Sequence, residues 1–131
     1  MILLDTHVLL WLAIEPKRLS RDAARAIRGG TRKDGIAIAS ISLLELAWLF
    51  ANGRVRTGET VAKAVSRLVD STCVITLELT PEIAATAVDL PQSIPADPAD
   101  RLIVATALVH ALPLVTRDPR IQDANLCKTV W

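Results

Sequence analysis

Four acidic residues stand beside short apolar runs at widely separated points of the chain: Asp5 in MILLDTH, Glu45 in ISLLELAW, Asp100 in PADPADRLIVATA and Asp118 in LPLVTRDPR. Each falls at or just past the end of a strand-like run, or one turn into the helix that follows. Carboxylates crowded together at neutral pH repel one another, so a cluster of them calls for a cation. A donor set made of oxygen alone selects a hard ion, Mg²⁺ with Mn²⁺ as the alternative, over zinc. The chemistry that uses such a site is phosphodiester hydrolysis, in which one or two divalent ions activate water, orient the phosphate and stabilise the leaving oxygen.

Each acid also has a quieter explanation. Ser42-Leu43-Leu44-Glu45 has the spacing of a capping box, in which Glu45 would reach back to the first amides of its helix. Asp97-Pro98 reads as an N-cap followed by proline at the first helical position, with Asp100 at the third, and Asp118-Pro119 repeats the pattern. Asp5 and Thr6 would cap the helix after the first strand. Capping explains an acid at one helix start; it does not require four of them at the same edge of one sheet. The two roles are compatible, because a carboxylate has about four lone-pair sites and helix N-termini favour negative charge.

Neighbouring residues carry weaker signals. Asp97 lies three residues before Asp100, on the same helix face. Thr6 and Thr116 are read either as hydroxyls that orient carboxylates or as a helix cap and a strand residue. Arg101 is read as pairing with an acid or approaching a phosphate, and His7 as pointing away from the acids, packed or exposed. No GxxxxGK[ST] phosphate loop, CxxC or HExxH occurs, and Asp5-Thr6-His7 lacks the second carboxylate of an aspartyl-phosphate motif.

The elements that must position these residues follow from hydrophobic patterning. The runs Met1–Leu4, Ile36–Ala39, Cys73–Leu77, Leu112–Thr116 and Cys127–Trp131 read as strands, several without polar alternation, as in a sheet covered on both faces. Between them, Thr6–Ile14, Ser20–Arg28, Ser42–Ala51, Gly58–Asp70, Pro81–Leu90 and Pro98–Ala111 read as helices. Strand–helix–strand alternation predicts an α/β fold with right-handed crossovers and a mainly parallel sheet. In such sheets ligands bind beyond the carboxyl ends of the strands, where Asp5 and Asp118 fall.

Length and composition bound the rest. A chain of 131 residues, 51% hydrophobic and 22% charged, is expected to form a single globular domain over residues 1–131. A net charge of +1 excludes a polycationic nucleic-acid coat, so any RNA binding needs a local basic patch. Arg21, Arg25 and Arg28 share a helical face, with Lys17 and Arg18 before them and Arg32 and Lys33 after; the alternative is an ordinary solvated face. The scarcity of aromatics (Trp11, Trp48, Trp131 and Phe50, with no tyrosine) argues against recognition by stacked bases. Cys73 and Cys127 are expected as buried, reduced thiols in strands, consistent with a cytoplasmic protein. No basic, apolar leader is recognised, and the longest uncharged run, Leu102 to Thr116, is broken by Pro113 and too short to span a bilayer. The Thr6–Ile14 and Ser42–Ala51 helices are apolar almost all round and must be buried or cover a partner.

In order and spacing, LLDTHVLLWL, SISLLELAWL, DPADRLIVATAL and LVTRDPRI resemble the PIN-domain ribonucleases, specifically the VapC-type toxins of bacterial toxin–antitoxin pairs. The segments run from the first strand almost to the last. The resemblance implies a three-layer α/β/α sandwich and Mg²⁺- or Mn²⁺-dependent endonucleolytic cleavage of RNA. It maps the catalytic acids to Asp5, Glu45, Asp100 and Asp118, with Asp5, Asp100 and Asp118 as metal ligands and Asp97 as accessory. Ala99 stands where many relatives carry an aromatic residue. The resemblance also implies a homodimer and a cognate antitoxin that lays an amphipathic segment in a groove. Two other readings are weighed against it. A non-catalytic module of the same fold, binding RNA or protein, would not need four carboxylates beside a phosphate backbone. A related nuclease acting on DNA or structured flaps would need a clamp for which this chain has little room.

Overall fold

The computed structural model describes all of residues 1–131. Five strands, β1 (Ile2–Leu4), β2 (Ile36–Ala39), β3 (Ile75–Leu77), β4 (Leu114–Val115) and β5 (Thr129–Val130), form one sheet in the order β3-β2-β1-β4-β5. Every neighbouring pair is parallel. The helices are α1 (Thr6–Ile14), α2 (Arg21–Arg32), α3 (Ile41–Ala51), α4 (Val61–Thr72), α5 (Pro81–Asp89), α6 (Pro98–Val109) and α7 (Pro119–Ala124), with a 3-10 turn at Pro16–Arg18. No helix is long and apolar enough to cross a membrane.

The alternation of side chains along each strand divides the core in two. Leu4, Ile36, Ile38 and Val115 pack on one face with Val8 and Leu9 of α1, Ala23 and Ile27 of α2, Leu46 of α3 and Leu68 of α4. Leu3, Ala37, Ala39 and Leu114 pack on the other with Ile103, Val104 and Ala107 of α6 and Ile121 of α7. Helix α5 lies outside α6 through Ile83, Ala87 and Ala105. The result is the expected α/β/α sandwich, and the strands are uniformly apolar because both faces are covered.

Strand order reverses at β1. The chain leaves β1 through α1 and α2 toward β2 on one side, and leaves β4 through α7 toward β5 on the other. Helices α1 and α7 therefore start at adjacent strand ends and diverge to opposite faces, opening a crevice between them. Asp5 caps the end of β1 there, its amide donating to the Val115 carbonyl at 3.0 Å.

Two expectations about the elements are corrected. The Pro119–Ala124 helix was absent from the pattern reading; its six residues are too few to show a period, although Asp118-Pro119 starts it and left-handed Asn125 (φ 51°) ends it. Cys73 is not a buried strand residue. It is exposed and left-handed (φ 52°) at the end of α4, while Cys127 is half-buried just before β5 and its thiol is pushed up by burial. Of the two helices expected to be buried or to cover a partner, α1 is buried along most of its length, whereas α3 leaves Leu44 and Trp48 exposed.

Candidate active site

The crevice at the β1/β4 switch point is an open cleft of about 550 Å³ lined by Asp5, Glu45, Asp97, Asp100 and Asp118, with His7, Trp11, Arg117 and Arg120 on its walls. All four predicted acids and the accessory Asp97 are thus brought together from β1, α3, the start of α6 and the start of α7. They ring the cleft, and no three of them close around a common point. A guanidinium already sits among them. Arg120 donates to Asp118 through Nε (3.1 Å) and Nη2 (2.7 Å) and lies 3.8 Å from Asp100.

Two threonines hold the deeper carboxylates. Thr116 is fully buried, donates its hydroxyl to Asp5 Oδ2 at 2.6 Å and accepts the Asp118 amide at 3.1 Å. Thr6, also fully buried, lies 2.6 Å from Glu45 Oε1 and 2.8 Å from Ser42 Oγ. A hydroxyl has one proton, so Thr6 gives it to the carboxylate and receives that of Ser42. This removes the capping-box reading: Ser42 lies inside α3, whose N-cap is Ser40, and Glu45 faces Thr6 across the cleft floor. Asp5 likewise makes no side-chain cap to α1. Asp97 and Asp118 do cap, accepting the amides of Ala99 and Arg120, each at 2.8 Å.

Carboxylates buried close together disfavour one another's charged forms. Burial, followed by the negative charges of Asp97, Asp5, Asp118 and Glu45, pushes the Asp100 carboxyl up to about 6. Asp5 and Glu45 are also raised, chiefly by burial, with the hydrogen bonds from Thr116 and Thr6 opposing the shift. Asp118 is instead held below its ordinary range, chiefly by its hydrogen bonds with the Arg120 side chain. An unmet demand for positive charge, in a donor set consisting only of oxygen, fits a hard divalent cation.

Several side chains stand elsewhere than expected. Arg101 turns away from the acids: its guanidinium donates to the carbonyls of Ala87 (2.9 Å) and Leu90, tying the end of α5 to α6. His7 is exposed on the cleft wall, with its ring 6.0 Å from that of Trp11. The basic face of α2 does not line the cleft; Arg25 pairs with Asp22 at 3.5 Å, and Arg28 and Arg32 border a separate hollow against α1. The cations of the cleft are Arg117 and Arg120, which pattern reasoning missed. The signal was present, since both flank Asp118 in TRDPR.

An all-parallel sheet of this strand order, with helices on both faces and carboxylates gathered at its switch point, defines a PIN-like α/β domain. The PIN domain family model matches residues 2–125, and the chain belongs to that family. It is 45% identical to Ribonuclease VapC22 of Mycobacterium tuberculosis over 132 aligned positions, covering 99% of this chain and 98% of the relative. In fold it is similar to VapBC2 from Rickettsia felis bound to a promoter DNA fragment (TM-score 0.72, 16% identity, 98% of this chain and 97% of that one). It is also similar to a toxin–antitoxin complex from Klebsiella pneumoniae (TM-score 0.67, 24% identity, 100% of this chain and 97% of that one).

Proposed function

We propose that the chain is an endoribonuclease, the toxin of a toxin–antitoxin pair, which hydrolyses RNA phosphodiester bonds in the acidic cleft. The observation that carries this reading is the convergence of Asp5, Glu45, Asp97, Asp100 and Asp118 on one cleft, with Asp100 raised to about 6 by burial and then by its acidic neighbours. The full-length similarity to a ribonuclease supports the reaction class, and the toxin–antitoxin complexes among its structural relatives support an antitoxin partner. An RNA substrate implies action in the cytoplasm. The exposed Leu44 and Trp48 of α3 offer an apolar surface compatible with a homodimer.

Asp5, Asp100 and Asp118 are the residues to hold Mg²⁺ or Mn²⁺. A bound ion supplies positive charge that polarises the phosphate and makes water a better nucleophile at neutral pH. The chain's own residues do the rest. Thr116 fixes one oxygen of Asp5. Thr6 fixes Glu45 in the same way, and the remaining oxygen of Glu45 can accept a proton from attacking water. Arg120 offers exposed N–H donors at the mouth, where a phosphate oxygen can compete with Asp118 for them.

The test is cleavage of a panel of single-stranded and structured RNAs, with matching DNA, in Mg²⁺, Mn²⁺ or chelator, by the wild type and by a folded Asp100→Asn variant. Divalent-dependent cutting of RNA that disappears in the variant is the expected result. Cutting that persists in chelator and in the variant would remove these residues from the chemistry.

A further inference from the structure

A cleft ringed by five carboxylates repels the polyanion it is meant to cut, so substrate must be drawn in by cations that those carboxylates do not neutralise. Arg120 is engaged with Asp118. Arg117, on the cleft wall, and Arg18, in the 3-10 turn after α1, are in no ion pair. Both lie against the indole of Trp11, with their central carbons 4.5 Å (Arg18) and 5.8 Å (Arg117) from the ring centroid. Trp11 is itself buried and held in tilted contact with Trp131 (5.7 Å) and His7 (6.0 Å).

We propose that Arg117 and Arg18, braced on Trp11, form the phosphate track along which an RNA strand enters the acidic cleft. The inference rests on the ribonuclease reading and adds the residues that bind its substrate. Contact with a ring satisfies a cation without consuming its hydrogen-bond donors, and it restricts a long side chain that would otherwise sweep through solvent. The N–H groups of both arginines stay available for phosphate oxygens, which guanidinium engages two at a time. Arg117 lies between Thr116, which holds Asp5, and Asp118, so its phosphate contact is in register with the acids. Because the indole is buried, bases do not stack on it, and the track grips backbone without reading sequence.

The experiment compares wild type with Arg117→Ala, Arg18→Ala and Arg117→Lys. Steady-state cleavage of one single-stranded RNA in Mn²⁺ gives KM and kcat. Fluorescence anisotropy in an Asp100→Asn background, from about 50 to 300 mM salt, gives the salt dependence of binding. Arg117→Ala is expected to raise KM by about tenfold with kcat changed by less than about twofold, and Arg18→Ala to do so less strongly. Each alanine is expected to flatten the plot of log affinity against log salt by about 0.7, and Arg117→Lys to restore most of that slope. Unchanged KM and slope with a lowered melting temperature would make the arginines packing residues and overturn the track. Unchanged RNA binding with weakened antitoxin binding would assign them to the protein partner instead, and overturn it equally. RNA bound but not cut by the wild type would count against the catalytic reading alone, the salt slopes still deciding the track; no RNA binding at all would overturn the track.

Discussion

Thr116 and Asp5, 111 positions apart in the chain, are joined by a 2.6 Å hydrogen bond at the end of two adjacent strands. The same hydroxyl accepts the amide of Asp118, so one buried side chain sets the orientation of two carboxyl-bearing residues. Thr116→Val is expected to leave the sheet intact, to cost about 1–2 kcal/mol of stability, and to raise the Asp5 carboxyl further. Cleavage at pH 7 should fall by about tenfold, with the acid limb of the pH–rate profile moved to higher pH. A fall in rate with no movement of that limb would mean that the hydroxyl acts on geometry alone.

Asp100 makes a prediction about pH. In the unfolded chain its proton leaves near the ordinary value of 3.8, and in the metal-free folded chain near about 6. Between those values the folded state binds more protons, so stability falls as pH rises through the window, by roughly 3 kcal/mol at most. Asp5 and Glu45, also raised, act in the same direction. Asp118 acts oppositely at lower pH, its contribution being lost as pH falls through its depressed value. In chelator, urea midpoints should therefore be lower at pH 7 than at pH 5, and Asp100→Asn should be the more stable protein at pH 7. A wild-type midpoint that rises over that interval would refute the electrostatic account of the cleft.

Divalent cation should reverse that penalty. Mn²⁺ at about 100 times its dissociation constant is expected to add about 2.7 kcal/mol to the stability of the wild type. The gain should shrink below pH 6, because protons compete for Asp100, and should be lost in Asp5→Asn and Asp100→Asn. Calorimetric titration and thermal melting with and without chelator test this directly. An equal shift in the wild type and both variants would place the ion elsewhere.

Arg101 offers a contrast within the same motif. Although it follows Asp100, its guanidinium ties together carbonyls at the end of α5. Arg101→Ala is expected to destabilise the fold by about 2–3 kcal/mol while leaving kcat/KM per folded molecule unchanged. Arg101→Lys should rescue little, since an ammonium cannot span the same acceptors. Denaturant midpoints and active-site-normalised kinetics separate the two effects; a selective loss of kcat would return Arg101 to the cleft.

The acids, the parallel strands and the two long buried faces were legible because each is a local pattern: an apolar run, then a carboxylate at its end. What the pattern hid depends on rotamers and on strand neighbours. Arg101 beside an acid and Arg120 two residues after one have similar local contexts, yet one faces α5 and the other the cleft. Ser42 and Glu45 match a capping box in spacing, but the helix begins two residues earlier than the box requires, and Thr6 claims the carboxylate. The pairing of Thr116 with Asp5 could not be inferred before β4 was known to lie beside β1.

That strand order has a bearing on timing during synthesis. β1 is made first, but its neighbour β4, which brings Thr116 and Asp118 to the cleft, comes almost last. Until residues beyond 118 have left the ribosome, Asp5 has no hydroxyl to hold it and the cleft has only one finished wall. A nascent chain therefore emerges with its cleft unfinished. The cleft is completed only when the late strand slots in beside the earliest one, joining residues 111 positions apart.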